Sequence, residues 1–256
     1  MPQTIGLIAA MPEEIKPLLK KIGRFSKDRY AGFNLYRFSL GSRQFCLIES
    51  GMGARRAAAA TRALIQTCSP DRIVSFGFAG AVTGGLTVGD VVIANRILDY
   101  ENEGGSTHEG SADGAEPALT QPQLPDTGRY RAASAAFITA QHILNKHEVA
   151  DGLPSGSGEY VLDMETAAVV AEAREAGLSA MAIRAISDAA DEELGFSIDE
   201  FTDETMTVRP WRVMTTIARK PWIIPQMIRL AGNVKRAGDT LSDALLDILE
   251  DVPSHP

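Results

Sequence analysis

The sequence predicts a single three-layer α/β domain with a mixed, strongly twisted central sheet and helices on both faces. Three observations carry that reading. Residues 160–191 (YVLDMETAAVVAEAREAGLSAMAIRAISDAAD) run as a short apolar stretch, a helical pattern and a second apolar stretch, which is a strand–helix–strand unit. A buried strand followed by a helix also opens the chain, at Thr4–Ala10 and Pro12. A length of 256 residues suits one large domain of this kind.

Taken in order, Thr4–Ala10 (TIGLIAA) is a buried first strand. Pro12 fits the first turn of the next helix, and Glu13 and Glu14 complement the positive end of its dipole. Leu35–Leu40 and Phe45–Ser50 flank Gly41-Ser42, a hairpin signal. Gly51-Met52-Gly53 opens an alanine-rich helix from Ala54 to about Thr67. Such a turn cradles anions on free backbone N–H groups, and Arg55 and Arg56 follow it; solvent-facing positions are the plainer reading of both. Asp71–Ala81 and Leu86–Ala94 give two more strands, with Gly77 and Gly80 allowing close approach of a ligand. Residues 101 to about 129 are rich in Gly, Ser, Pro and acids without periodicity, so a long loop is expected, with His108 solvated in it. Ala135–Leu144 reads as a strand entering the pocket. Tyr160–Asp163, a helix ending at Gly177, and Ala180–Ile186 complete the unit described above.

Beyond it, Ser197 and Glu200 have the spacing of a capping box. Met227, Leu230, Val234, Ala237, Leu241, Leu245 and Ile248 form one stripe of a long amphipathic helix. The chain is therefore expected to divide into a domain over 1–220 and a helical extension over 221–256, packed on that domain or on a dimer partner. Trp222-Ile223-Ile224 beside Met227-Ile228 offers an alternative, an apolar entrance or a membrane contact. Only three basic residues, Arg229, Lys235 and Arg236, lie between Trp222 and Pro256, which weighs against a membrane surface.

A net charge of −8 argues against a nucleic-acid partner, since phosphate backbones need a basic stripe. Cys46 and Cys68 lack metal-ligand spacing and read as buried free thiols. With no His or Cys cluster at such spacing, neither a metal nor any other cofactor is expected. No apolar run approaches the eighteen or so residues of a membrane span and no leader pattern opens the chain, so a cytoplasmic location is the default.

In open α/β sheets ligands sit at strand ends. Glu165 and Asp188 both arrive at such ends, from adjacent turns, and Glu14 lies just past the first strand. Each alone is as well explained as a helix-start or turn carboxylate. Together they suggest acid–base chemistry in one cleft.

LDMETAAVV followed by AIRAISDAAD resembles the purine and uridine phosphorylase superfamily, within it the methylthioadenosine/S-adenosylhomocysteine nucleosidase branch. The likeness runs from Ile5 to about Phe201, and AAMPEEI is similar to the family's N-terminal signature. It implies the phosphorylase/hydrolase-like fold, a homodimer, and hydrolysis of the N-glycosidic bond of a purine nucleoside, an adenine nucleoside modified at its 5′ position. It implies that Glu14 holds and activates the attacking water. Asp188 would protonate the departing base, oriented by Ser187 or the adjacent backbone, and for this its burial must keep it protonated near neutrality. Glu165 would grip the ribose hydroxyls beside Met164. Arg184 is either an organiser of these carboxylates or a buried ion-pair partner.

Three departures from the family pattern stand out. Phe78 occupies a position where serine is usual. Ser75 stands where purine phosphorylases place a phosphate-gripping arginine, and their N-terminal glycine-and-arginine signature is missing. Phosphate needs charge-assisted donors, so water is the expected nucleophile. Where the nucleosidases carry an aspartate and a base-stacking aromatic, this chain has Gln141 and Ile143, with Phe137 upstream; Met164 and Ile143 are the expected apolar substitutes. From Pro210 onward the chain leaves the short nucleosidase pattern. Its tail looks like those of hopanoid-associated phosphorylase-like proteins, which implies room for a bulky apolar substrate group. Two competitors remain: a phosphorylase that uses Arg55 or Arg56 for phosphate, and a nucleoside-binding protein without turnover, which Phe78 and Ile143 would favour.

Overall fold

The computed structural model describes residues 3–101, 106–109, 119–122, 128–140, 146–153, 158–191, 216 and 219–251. Among these residues, ten strands form one mixed sheet. β1 (Thr4–Ala9) pairs in parallel with β4 (Arg43–Glu49) and with β5 (Arg72–Ala81). β4 continues into the antiparallel pair β3 (Phe33–Leu40) and β2 (Ser26–Tyr30). On the other side of β5 the pairing path closes on itself. β5 pairs with β9 (Glu159–Asp163), β9 with β8 (Ala132–Thr139), β8 with β6 (Val91–Glu101), β6 with β10 (Ser179–Asp188), and β10 again with β5. β7 (Ser106–Glu109) hangs on β6.

A ring of five strands leaves a narrow interior, and the sequence fills it with small side chains. Alternate residues Ala79 and Ala81, Val92 and Ala94, Ala135 and Phe137, Val161, Ala182 and Ile186 form one buried cluster. Ser75, Thr139, Asp163 and Arg184 fall on the same alternation of their strands, and this places polar groups at the ring's mouth.

Helices cover both faces. α1 (Pro12–Ile22) and the long C-terminal helix, α5 (Ile224–Asp251), share a cluster with β1, β5 and β10 through Ile15, Leu18, Leu241, Leu245 and Ile248. α2 (Ala54–Cys68) and α4 (Thr166–Glu175) cover the opposite face through Ala57, Ala60, Leu64, Val169 and Ala173. A short helix, α3 (Lys146–Asp151), precedes β9. The predicted α/β class and mixed sheet between helix layers are what the structure has.

Four details differ from the sequence reading. The segment expected to be a loop from residue 101 contains β7, paired in register with the end of β6. β8 ends at Thr139, short of the expected Leu144. β2 (SKDRY) is exposed along its whole length, so no apolar alternation marks it. In α5 only the C-terminal half of the stripe is deeply buried; Trp222 and Ile228 are each 69% exposed. No helix among the described residues is long and apolar enough to cross a membrane. Ser197 and Glu200 lie outside the described residues.

Candidate active site

Glu14 is set by the start of α1. Its position, third in the helix, lets the carboxylate reach back to the strand-to-helix turn. Oε2 accepts the backbone N–H groups of Ala10 and Met11, both at 2.8 Å, and Oε1 accepts that of Phe78 at 2.9 Å. The helix-start role and the site role are therefore served by the same side chain. A β-carbon on Gly77 would lie 2.5 Å from Oε1, so the carboxylate can rest on β5 only because residue 77 is glycine. Glu14 is 4% exposed. Burial raises its pKa, against the lowering pull of the Met11, Phe78 and Ala10 N–H groups and of the Arg184 charge.

Glu165 stands between β9 and α4. Its Oε1 accepts the Gly53 N–H at 2.7 Å, which ties it to the glycine turn that starts α2. Burial, and then the negative charge of Asp163, push its carboxyl up to about 7. Ile8, Ala9, Ala10, Glu14, Ser50, Ser75, Phe76, Gly77, Glu165 and Arg184 line one small cleft. Met164, next to Glu165, is half-buried.

Arg184 is 2% exposed and fully engaged. Its Nε and Nη2 donate to Asp163 Oδ2 at 3.1 and 2.7 Å, and Nη2 also to Ser75 Oγ at 3.0 Å and Thr166 Oγ1 at 2.7 Å. Asp163 Oδ1 accepts the Thr139 hydroxyl at 2.8 Å, and Oδ2 also takes the Thr166 hydroxyl. The two alternatives for Arg184 are compatible in one arrangement: it forms a buried ion pair with Asp163, and its positive charge opposes the raising of Glu14 and Glu165. It organises carboxylates. Ser75, in place of an arginine, fills the space beside this guanidinium.

Asp188 ends β10. The register between β10 and β5 shifts after Ile186, so that Asp188 pairs with Gly80 and Ser187 is the extra residue. Such an irregularity re-aims the side chain that follows it. The Ser187 hydroxyl donates to Asp188 Oδ1 at 2.6 Å, as the sequence suggested. Oδ2 forms an ion pair with Lys146 of α3. The Asp188 side chain is 18% exposed. Its surroundings are charge-paired, which corrects the expectation of a burial-dominated setting.

Phe78 contributes its backbone N–H to Glu14, but its ring packs among the apolar residues under α1 and α5. Of the base-binding or orienting part that the sequence left open for Phe78, what the structure describes is this main-chain contact to Glu14. Ile143 and Gln141 lie outside the described residues, and Phe137 is buried inside the ring of strands, 5.9 Å from the Arg184 guanidinium. Arg56 is exposed and donates to the Ser50 carbonyl at 2.9 Å; Arg55 is exposed at the start of α2. Lys146 was not singled out by the sequence, because nothing in the unpatterned stretch around it signals a strand-end partner. Among the described residues, no group of three or more His, Cys, Asp or Glu side chains is placed to hold a metal ion.

The fold and cleft define an α/β protein with carboxylates gathered at strand ends around one buried guanidinium. The sequence profile described as Phosphorylase superfamily matches residues 4–219, and the chain belongs to that superfamily. A 5′-methylthioadenosine/S-adenosylhomocysteine nucleosidase of Exiguobacterium sp. is 28% identical over 231 residues, 84% of this chain and 97% of its own. The S-adenosylhomocysteine nucleosidase of Streptococcus pyogenes shares the fold with a TM-score of 0.69 at 21% identity, over 99% of this chain and 98% of its own. Futalosine hydrolase of Helicobacter pylori does so with a TM-score of 0.71 at 15% identity, over 98% of each chain.

Proposed function

We propose that this chain hydrolyses the N-glycosidic bond of a purine nucleoside, an adenine nucleoside modified at its 5′ position, with water as the nucleophile. One observation carries the reading: Glu14 is clamped by three backbone N–H groups in a cleft that also holds Glu165 and Arg184, while Asp188 sits at the same end of β5. Glu14 rests over Gly77 and Asp188 over Gly80. Along β5 the two contact points are three residues, about 10 Å, apart.

A carboxylate has about four lone-pair directions. Backbone donors use three of those on Glu14, which leaves one for a water molecule. Burial makes the group a stronger base than an exposed glutamate, as activation of water requires. In the reaction, Asp188 gives its proton to N7 of the base as the C1′–N9 electron pair leaves with the purine. Water attacks C1′ and loses its proton to Glu14. Glu165 accepts the ribose hydroxyls, and its negative charge stabilises the oxocarbenium-like centre.

The lining of the cleft favours water over phosphate. Among the described residues that line it, Arg184 is the one cation and is already paired with Asp163, so a dianion entering beside Glu14 finds no unpaired charge-assisted donor. The phosphorylase alternative rests on Arg56, whose guanidinium lies against Gly51 at the edge of this cleft. The nucleosidase relative named above supports a 5′-thio-substituted adenosine as the first substrate to try.

The test of this assignment is Glu14→Gln. Base release should fall by roughly 10²–10⁴-fold, the range for a positioned acid or base, with nucleoside binding measured by calorimetry kept. Wild-type turnover in Glu14→Gln would remove Glu14 from the chemistry.

A further inference from the structure

Lys146 is the side chain nearest the proposed chemistry that the mechanism above leaves without a task. It begins α3, and its ammonium spends its donors on the end of β10. It forms the ion pair with Asp188 Oδ2 and donates to the backbone carbonyls of Ala189 at 2.8 Å and of Asp188 at 3.3 Å. Its side chain is 15% exposed. A β-carbon on Gly80 would lie 2.9 Å from Lys146 Cε and 2.7 Å from Asp188 Oδ2, so the pair fits against β5 only over a glycine. The Ser187 hydroxyl holds the other carboxylate oxygen.

We propose that Lys146 is the positioning residue of the acid: with Ser187 it fixes the Asp188 carboxyl group and stabilises the charge that appears there when the proton leaves. The inference rests on the nucleosidase reading given above. Two donors grip the two oxygens from different elements, α3 and β10, so the group has one orientation. Both contacts suit a carboxylate, the form in which the acid is left once N7 has received its proton. An ammonium ion at Oδ2 therefore interacts more strongly with the transition state than with the protonated acid before it. That difference is what accelerates the step. The bonds to the carbonyls of residues 188 and 189 keep the ammonium in place as charge on the acid changes. Lys146 acts through Asp188, with all its donors directed to β10.

The experiment compares Lys146→Met and Lys146→Arg, each alone and with Asp188→Asn, in steady-state release of adenine from 5′-methylthioadenosine. Lys146→Met keeps most of the stem and removes the charge. It should lower kcat by about 10–100-fold, a part of the roughly 10²–10⁴-fold that a positioned acid supplies, with KM within about threefold. Lys146→Arg should recover most of the loss. In the Asp188→Asn background, Lys146→Met should have little further effect, because the two residues act as one unit. A purely structural staple would give equal losses in both backgrounds and no recovery by arginine, and either result overturns the proposal. So does a raised KM at unchanged kcat, which would mark a substrate contact. Should Lys146→Met fail to fold, Lys146→Gln and Lys146→Arg carry the same comparison. No base release by the wild type would overturn the nucleosidase reading, and this inference with it.

Discussion

Asp163 and Arg184 are held together with no solvent to screen them, their side chains 0% and 2% exposed. A buried pair of this kind contributes little net stability against an apolar pair, yet removing one partner strands the other charge. Asp163→Ala is therefore expected to cost about 3–5 kcal/mol, read as a lower urea midpoint at unchanged slope. A cost below about 1 kcal/mol, the scale of an exposed pair, would mean that Arg184 finds other partners. This residue was only half legible. Asp163 is visible in LDMET as the end of a strand, but its partner lies 21 positions away on β10, and only the closed ring of strands brings them together. Glu14 was legible through the family resemblance, while its local partners at Ala10–Met11 alone read as a helix start and its third, the Phe78 N–H, lies 64 positions away; Ser187 was legible because its partner is the next residue. Phe78 was harder to read for a related reason. Sequence pattern shows a side chain, while the contact to Glu14 is made by the main-chain N–H of that residue, and its partly buried ring packs against the core.

Helices α1 and α5 meet closely at Gly238. A β-carbon there would lie 3.1 Å from Pro17 Cγ and 3.3 Å from the Glu13 carbonyl oxygen. Gly238→Ala gains roughly 1 kcal/mol of helix propensity but presses on the first turns of α1, which carry Glu14. Stability near that of the wild type together with a several-fold loss of base release is the expected outcome, checked by thermal melting and initial rates on one preparation. Wild-type rates would show that α5 does not set the placement of Glu14. The long stripe of α5 was readable from its three- and four-residue steps, and Leu241 and Leu245 are indeed fully buried. Its first turns were not, since Met227 and Leu230 follow the same spacing while staying only half-buried. β2 and α3 escaped notice because periodicity reports burial: β2 is exposed throughout and α3 has fewer than two turns.

For the whole molecule, the raised carboxyl groups link stability to pH. The Glu165 carboxyl titrates at about 7 when folded and at its ordinary 4.5 when unfolded. Between these values the folded chain holds the extra proton, so stability falls as pH rises through that window and levels off above it. Glu14, also raised, adds in the same direction. Glu165→Gln should therefore gain in melting temperature relative to the wild type from pH 4.5 to 7, then keep a constant difference; an unchanging difference across the window would show that burial does not hold the proton. The fold class was legible because strand–helix–strand order and buried runs repeat along the chain. The closure of β5, β9, β8, β6 and β10 was not, since pairing between distant strands leaves no local mark. That closure places Arg184, paired with Asp163, in the lining of the Glu14 cleft, and Asp188 ends β10, one of the strands of the ring. The central claim is water attack assisted by Asp188. It is tested most directly by chromatographic measurement of adenine released from 5′-methylthioadenosine, with and without phosphate, by wild type and Asp188→Asn. The account predicts release that is independent of phosphate and lost in Asp188→Asn. Release only in the presence of phosphate, or undiminished in Asp188→Asn, would contradict it.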